Sequence, residues 1–154
     1  MQLVEVDLNN EKHCSAVLRL LSDYMQDEMG IGEEMPAELG PKIIEGLKNH
    51  AGYLGFLVQV DNQYAGLANC NLVFSTWKAK PLINIHDFTV SSKFRKRGIG
   101  QFLMNSIIDY AKSNGYCRIN LEVRHDNIKA QNLYIKTGFV ECDPPNYFWE
   151  NKLK

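Results

Sequence analysis

The chain is predicted to fold as an α/β domain with a mixed central sheet and helices on both of its faces. Two observations carry this. Segments of alternating or continuous apolar residues interleave with amphipathic segments in the order β-α-α-β-β-β-α-β-α-β-β. The length and composition, 154 residues of which 45% are hydrophobic, suit one globular domain with a sizeable core, spanning 1–154.

Each element has a local reason. Leu3 to Asp7 alternates apolar and polar residues, as a half-buried strand does. Asn9 or Asn10 caps a helix from Glu11 to Met29, with Val17, Leu20, Leu21 and Tyr24 on one face. Gly30 to Pro36 breaks it, and Pro41 to Asn49 is a second helix with Ile43, Ile44 and Leu47 inward. Gly55 to Val60 and Tyr64 to Phe74 are strands joined by an Asp61-Asn62 turn. Ile83 to Val90 is the next strand, followed by a helix from Gly98 to about Gly115. Arg118 to Val123 alternates as a strand. Asn127 caps a helix to Lys136 that Gly138 ends. Phe139 to Cys142 and Tyr147 to Leu153 are expected to close the fold as two strands around Pro144-Pro145.

Charge is nearly balanced, 17 basic against 18 acidic residues, so bulk electrostatics give no case for a nucleic-acid partner. The basic run Lys93 to Arg97 lacks interleaved aromatics beyond Phe94. No apolar run is long enough for a membrane span, and the N-terminal residues lack a signal-peptide layout. Cys14, Cys70, Cys117 and Cys142 are scattered, with no metal-binding spacing, so free thiols in a cytoplasmic protein and no metal are expected.

The most informative stretch is FRKRGIGQFL, Phe94 to Leu103. Arg95, Lys96 and Arg97 run into Gly98-Ile99-Gly100 between a strand and a helix. Glycines allow close backbone approach, and a helix start presents unpaired N–H groups and the positive end of its dipole. On these residues alone the stretch is either a solvated basic loop or a pyrophosphate seat. The dinucleotide fingerprint fails at Leu103, and no Gly-Lys-Ser/Thr follows for a P-loop.

What remains, Arg-x-x-Gly-x-Gly after a strand, resembles the coenzyme A loop of Gcn5-related N-acetyltransferases. A second segment agrees. Asn127 to Phe139, N-I-K-A-Q-N-L-Y-I-K-T-G-F, resembles that family's Asn-x-x-Ala-x-x-x-Tyr-x-x-x-Gly-Phe, and the element order matches over nearly the whole chain. The resemblance implies a mostly antiparallel mixed sheet and acetyl-CoA as cosubstrate. It makes Arg95, Lys96, Arg97, Gly98, Ile99, Gly100, Asn127 and Ala130 cofactor contacts. Tyr134 becomes the acid that protonates the leaving thiolate, with a second contact to the cofactor. Taken alone, Tyr134 reads first as a core aromatic on an amphipathic helix; the Arg95 loop at the family's distance upstream reverses that order. The family's strand splays from its parallel neighbour, so the backbone of Phe88, Thr89 and Val90 is expected to bind the pantetheine arm, with the Phe88 N–H facing the thioester oxygen.

An acceptor amine must lose a proton before it attacks, since a free alkylamine ionises near pKa ~10.4. The segment Ser75 to Val90 resembles diamine acetyltransferases, which carry a Glu-Asp pair where this chain has His86-Asp87. An imidazole is a competent base near neutral pH. His86 is therefore the first candidate, directly or through water, and Asp87 the second. As a strand pair, the two also read as a hydrogen-bonded histidine and a structural anchor. Six acids and no base lie between Arg19 and Lys42: Asp23, Asp27, Glu28, Glu33, Glu34 and Glu38. They are either a solvated face or, as the family's placement implies, a negative wall for a cationic acceptor.

The expected function is acetyl transfer to a primary amine of a small, cationic molecule by direct attack in a ternary complex. The alternatives are a non-catalytic acyl-CoA sensing module and a protein N-terminal or lysine acetyltransferase. Homodimers are common in that family, and no feature of the sequence decides the matter here.

Overall fold

The computed structural model describes residues 1–153. Five strands form one sheet in the order β1-β2-β3-β4-β5: β1 (Gln2–Glu5), β2 (Tyr53–Val60), β3 (Gln63–Ser75), β4 (Lys80–Val90) and β5 (Ile119–Leu121). The first four pair antiparallel, and β5 lies parallel to β4. Helices α1 (Glu11–Gln26), α2 (Leu39–Asn49), α3 (Ile99–Ser113) and α4 (Ile128–Lys136) complete the fold. The sheet is thus mixed and mostly antiparallel, as expected.

Two cores lie on its two faces. On one, Phe56, Val58, Cys70 and Ile83 pack with Ile99, Leu103, Met104 and Ile107 of α3 and with Tyr134 of α4. On the other, Leu57 and Leu67 pack with Ala16, Val17, Leu20 and Leu21 of α1. Neighbours Phe56 and Leu57 serve opposite faces because side chains alternate along a strand. No helix among the described residues is long and apolar enough to cross a membrane.

The ends of α1 follow from short polar side chains. Asn10 caps it, its side-chain oxygen accepting from the Lys12 N–H at 2.9 Å. The helix stops at Gln26, three residues before the expected Met29. Asp27 is extended, and its Oδ1 accepts from the Met29 N–H at 2.9 Å, a local bond that competes with the helical one. The Met25 carbonyl then collects the N–H groups of Ile31, Gly32 and Glu33.

Two expectations fail near the C-terminus. The parallel strand is three residues long, not the six from Arg118 to Val123. No strand forms in Phe139–Cys142 or Tyr147–Leu153. Phe139 instead turns back on α4, its N–H bonded to the Tyr134 carbonyl at 2.9 Å and its ring 5.8 Å from that of Tyr134. Beyond it Val140, Tyr147, Phe148, Trp149 and Leu153 are exposed. Alternation alone does not make a strand where no core receives its apolar side, and Pro144-Pro145 removes two ladder donors.

Candidate functional site

The site begins where β4 loses a neighbour. Its pairing with β5 runs Ile83↔Ile119, Asn84↔Asn120, Ile85↔Leu121 and then stops. On the β3 side, Cys70 faces Ile85 while the preceding Asn69 faces Asp87, so His86 is an extra residue in β4, a β-bulge. The bulge changes both alternations of the strand. Before it, the Ile83 N–H bonds to the Arg118 carbonyl, on the β5 side. After it, the Ser91 N–H bonds to the Ala65 carbonyl, on the β3 side. Antiparallel alternation from Ser91 then directs Asp87 and Thr89 toward β3, and Phe88 and Val90 toward the open side.

The same bulge puts His86 and Asp87 together on the α1/α2 face. Both line one cleft of about 470 Å³. Phe88 falls on the other face, its ring edge-on to Tyr134 at 6.1 Å. Strict alternation would have separated His86 from Asp87.

Asp87 is held from below. The Tyr53 hydroxyl donates to Asn69 Oδ1 at 2.9 Å, and Asn69 Nδ2 donates to Asp87 Oδ2 at 3.0 Å. Asn69 is buried and satisfied on both sides. Asp87 Oδ1 has no protein hydrogen-bond partner among the described residues. The His86 side chain is exposed at the cleft and makes no hydrogen bond among the described residues.

Tyr134 is buried, and its hydroxyl has no protein partner among the described residues. Desolvation, with a smaller effect from Tyr24, pushes its pKa up to about 12. It is a neutral donor at pH 7. Tyr24 on α1 lines the cleft. Burial, and then the charges of Asp87 and Asp27, raise its pKa as well.

The basic loop divides into different tasks. Lys96 (φ 61°) and Gly98 (φ 76°) are both left-handed, and Gly98 caps α3 with no side-chain bond. The first intrahelical bond runs from the Phe102 N–H to the Gly98 carbonyl, so the N–H groups of Ile99, Gly100 and Gln101 have no helical acceptor. Side-chain space around Gly98 is open. Gly100 differs: a Cβ there would sit 3.3 Å from Leu133 and 3.7 Å from Val90, so this glycine lets α3 approach α4 and β4.

Several expected contacts are otherwise engaged. Arg95 Nη2 donates to Asp27 Oδ2 at 2.7 Å and its Nε to the Val90 carbonyl at 3.2 Å, tying the loop to the end of α1. Arg97 lies over the Phe94 ring and 3.9 Å from Asp61. The Ile99 side chain is in the core, leaving only its N–H for a ligand. Asn127 caps α4, its Oδ1 accepting from the Ala130 N–H at 3.2 Å, which occupies both groups. By the same alternation the backbone groups of Thr89 face β3 rather than the gap, and its side chain is buried. The acidic segment does line the cleft, but through Leu21, Tyr24, Met25, Met29 and Ile31; none of its six acids is among the lining residues.

Sequence reasoning missed Tyr24, Tyr53 and Asn69 as site residues. Asn69 left a signal, a polar residue within the apolar run Leu67 to Cys70.

Chemically, the arrangement offers the outward backbone groups of Phe88 and the Val90 N–H at the open edge, unpaired N–H groups at the start of α3, and a neutral phenol whose ring meets Phe88. A carboxylate and an imidazole lie in the adjoining cleft.

Residues 15–139 match the model of the Acetyltransferase (GNAT) family. The chain is 33% identical over 89 residues to streptothricin acetyltransferase A of Bacillus subtilis, covering 58% of this chain and 49% of that protein. It thus spans about half the length of that curated relative. It is 34% identical over 118 residues to the ribosomal protein bS18-alanine N-acetyltransferase of Haemophilus influenzae, covering 75% and 76% of the two chains. A solved structure described as a probable acetyltransferase superposes with a TM-score of 0.86 at 20% identity, covering 100% of each chain, which is a likeness of fold.

Proposed function

The chain belongs to the GNAT family of acetyltransferases, and from that premise we propose that it is an acetyl-CoA-dependent N-acetyltransferase. In this reading one catalytic domain passes an acetyl group to a primary amine of a small cationic acceptor, by direct attack in a ternary complex. The observation that carries the reading is the bulge at His86. It opens the Phe88–Val90 edge toward Tyr134 and turns His86 and Asp87 into the cleft.

Acetyl-CoA supplies an activated acetyl thioester. The free N–H groups of Ile99, Gly100 and Gln101, with Lys96 and Arg97 beside them, suit its pyrophosphate. The outward backbone of Phe88 and the Val90 N–H suit an extended arm that joins β4 as an added strand. In this arrangement the Phe88 N–H donates to the oxygen that gains charge, a role that needs no reorganisation during reaction.

His86 takes the ammonium proton, directly or through a water. Asp87, fixed by Asn69, holds the cation and is the second candidate base. Tyr134 donates to the leaving sulfur. Its pKa is pushed up to about 12, whereas a thiol ionises near ~8.5. The hydroxyl therefore acts first as a hydrogen-bond donor, because full proton transfer from the free enzyme's phenol is uphill.

A second reading has one observation behind it. The match to the bS18-alanine enzyme extends over 118 residues and covers about three quarters of both chains. An acceptor that is a protein N-terminus would use the same amine chemistry.

The test has two arms. Acetyl-CoA at a hundredfold excess over Kd should raise stability by about 2.7 kcal/mol, seen as a thermal shift. Release of free CoA thiol should then depend on an added amine, and an alanine-terminated peptide separates the second reading from the first. No thermal shift overturns the cofactor assignment. A shift with no turnover on any amine points to an acyl-CoA sensor.

A further inference from the structure

The cleft has a polar floor and an apolar wall. The wall is made by Leu21, Met25, Met29, Ile31, Ile43 and Leu47, from α1, the turn after it and α2. Asp87 is the only carboxylate that lines the cleft among the described residues. The acids that could have added charge are elsewhere. Asp27 pairs with Arg95 at 2.7 Å, and Asp23 lies 3.8 Å from Arg19. Glu28, Glu33, Glu34 and Glu38 are exposed and outside the cleft. By contrast Ile31, at the rim, is 63% exposed although apolar.

We propose that the acceptor is a monoamine: one primary ammonium at the Asp87 end and an alkyl or aryl body against the Met-Ile-Leu wall. This rests on the acetyltransferase reading and names its substrate class. A single carboxylate matches a single ammonium. A second ammonium within the cleft would lose water beside Leu21 or Met29 without meeting an acid, which disfavours diamines and polycationic antibiotics. About 470 Å³ is in the range of small-molecule sites. Methionine side chains adapt their shape, so chain length should matter more than branching.

The test measures kcat/KM with saturating acetyl-CoA for butylamine, hexylamine and phenethylamine, and for the diamine of hexylamine's length and spermidine. Burial of each methylene should raise kcat/KM about fourfold between butylamine and hexylamine, until the wall is covered. Hexylamine should exceed its diamine by about tenfold or more. Ile31→Glu puts a carboxylate on the wall at an exposed position, and it should raise the diamine and lower hexylamine. Its acetyl-CoA thermal shift, equal to that of the wild type, serves as the folding control. A diamine or spermidine preferred over hexylamine overturns the inference. So does an Ile31→Glu variant with unaltered selectivity, or acetyl-CoA binding with no monoamine turned over. Absence of acetyl-CoA binding overturns the underlying reading instead.

Discussion

Up to Ile85, β4 is an interior strand with β3 on one edge and β5 on the other; from His86 onward it keeps β3 alone. The first half buries Leu82, Ile83 and Ile85 and holds the sheet together. The second half contributes Thr89 to the interior, yet presents Phe88 and Val90 to an unpaired side and His86 and Asp87 to a cleft. One inserted residue separates the halves. A sheet can thus place chemistry where pairing ends, provided the unpaired groups face a ligand rather than solvent alone.

The largest expected effect tests whether the open half is catalytic. Tyr134→Phe keeps the ring against Phe88 and Phe139 and removes only the hydroxyl. It should lower kcat by about 10²–10⁴-fold while calorimetry shows nearly unchanged acetyl-CoA affinity. Because the phenol is pushed up to about 12, wild-type activity should show no loss of this donor through pH 9. A Tyr134→Phe enzyme of full activity would reduce Tyr134 to a core aromatic.

Next comes the pair that the bulge brings together. His86→Ala should lower kcat/KM by about 10²-fold, with Asp87→Asn affecting mainly acceptor KM. If Asp87→Asn costs more kcat than His86→Ala, the carboxylate is the base and the imidazole a bystander.

The glycine loop gives a smaller, sharper contrast. Gly98→Ala meets no neighbour, yet must hold φ near 76°, which should cost about 1–2 kcal/mol in urea unfolding. Gly100→Ala gains about 0.8–1.0 kcal/mol of helix propensity and loses some of it to the 3.3 Å approach of Leu133, so its net change should be near zero. Equal losses in the two variants would mean that backbone conformation is not what sets Gly98 apart.

The smallest effect concerns the tie between loop and α1. The Met29 N–H, and then Arg95, hold the Asp27 carboxyl below its ordinary value. A depressed folded pKa stabilises above the unfolded value, about 3.9, and the gain is lost as pH falls through the folded one. Asp27→Asn should therefore lower Tm by about 2–4 °C at pH 7, and the gap to wild type should close below pH 4. A gap independent of pH would assign the loss to packing.

Most helices were legible because apolar periodicity and Asn caps are local. Asn10 and Asn127 each cap the helix expected of them, the latter one residue before Ile128. The basic glycine turn and Tyr134 were singled out by their resemblance to two segments of the family. Two failures share a cause. Tyr147 to Leu153 alternates as a strand does but has no apolar surface to cover, and Asp23 to Glu38 is acidic but meets the cleft only through Tyr24, Met25, Met29, Gly30 and Ile31. Pattern states what a segment can do, and neighbours decide whether it does.

The sequence by itself determined the α/β class, the order of elements through α4 and the type of loop at Arg95–Gly100, since each rests on residues within a few positions of one another. Only the tertiary structure decided that β5 stops at Leu121, that Arg95 binds Asp27 across 68 positions of sequence, and that His86 and Asp87 share one face. Strand register and charge pairing are long-range, and a strand's own residues do not record where its partner ends or slips by one.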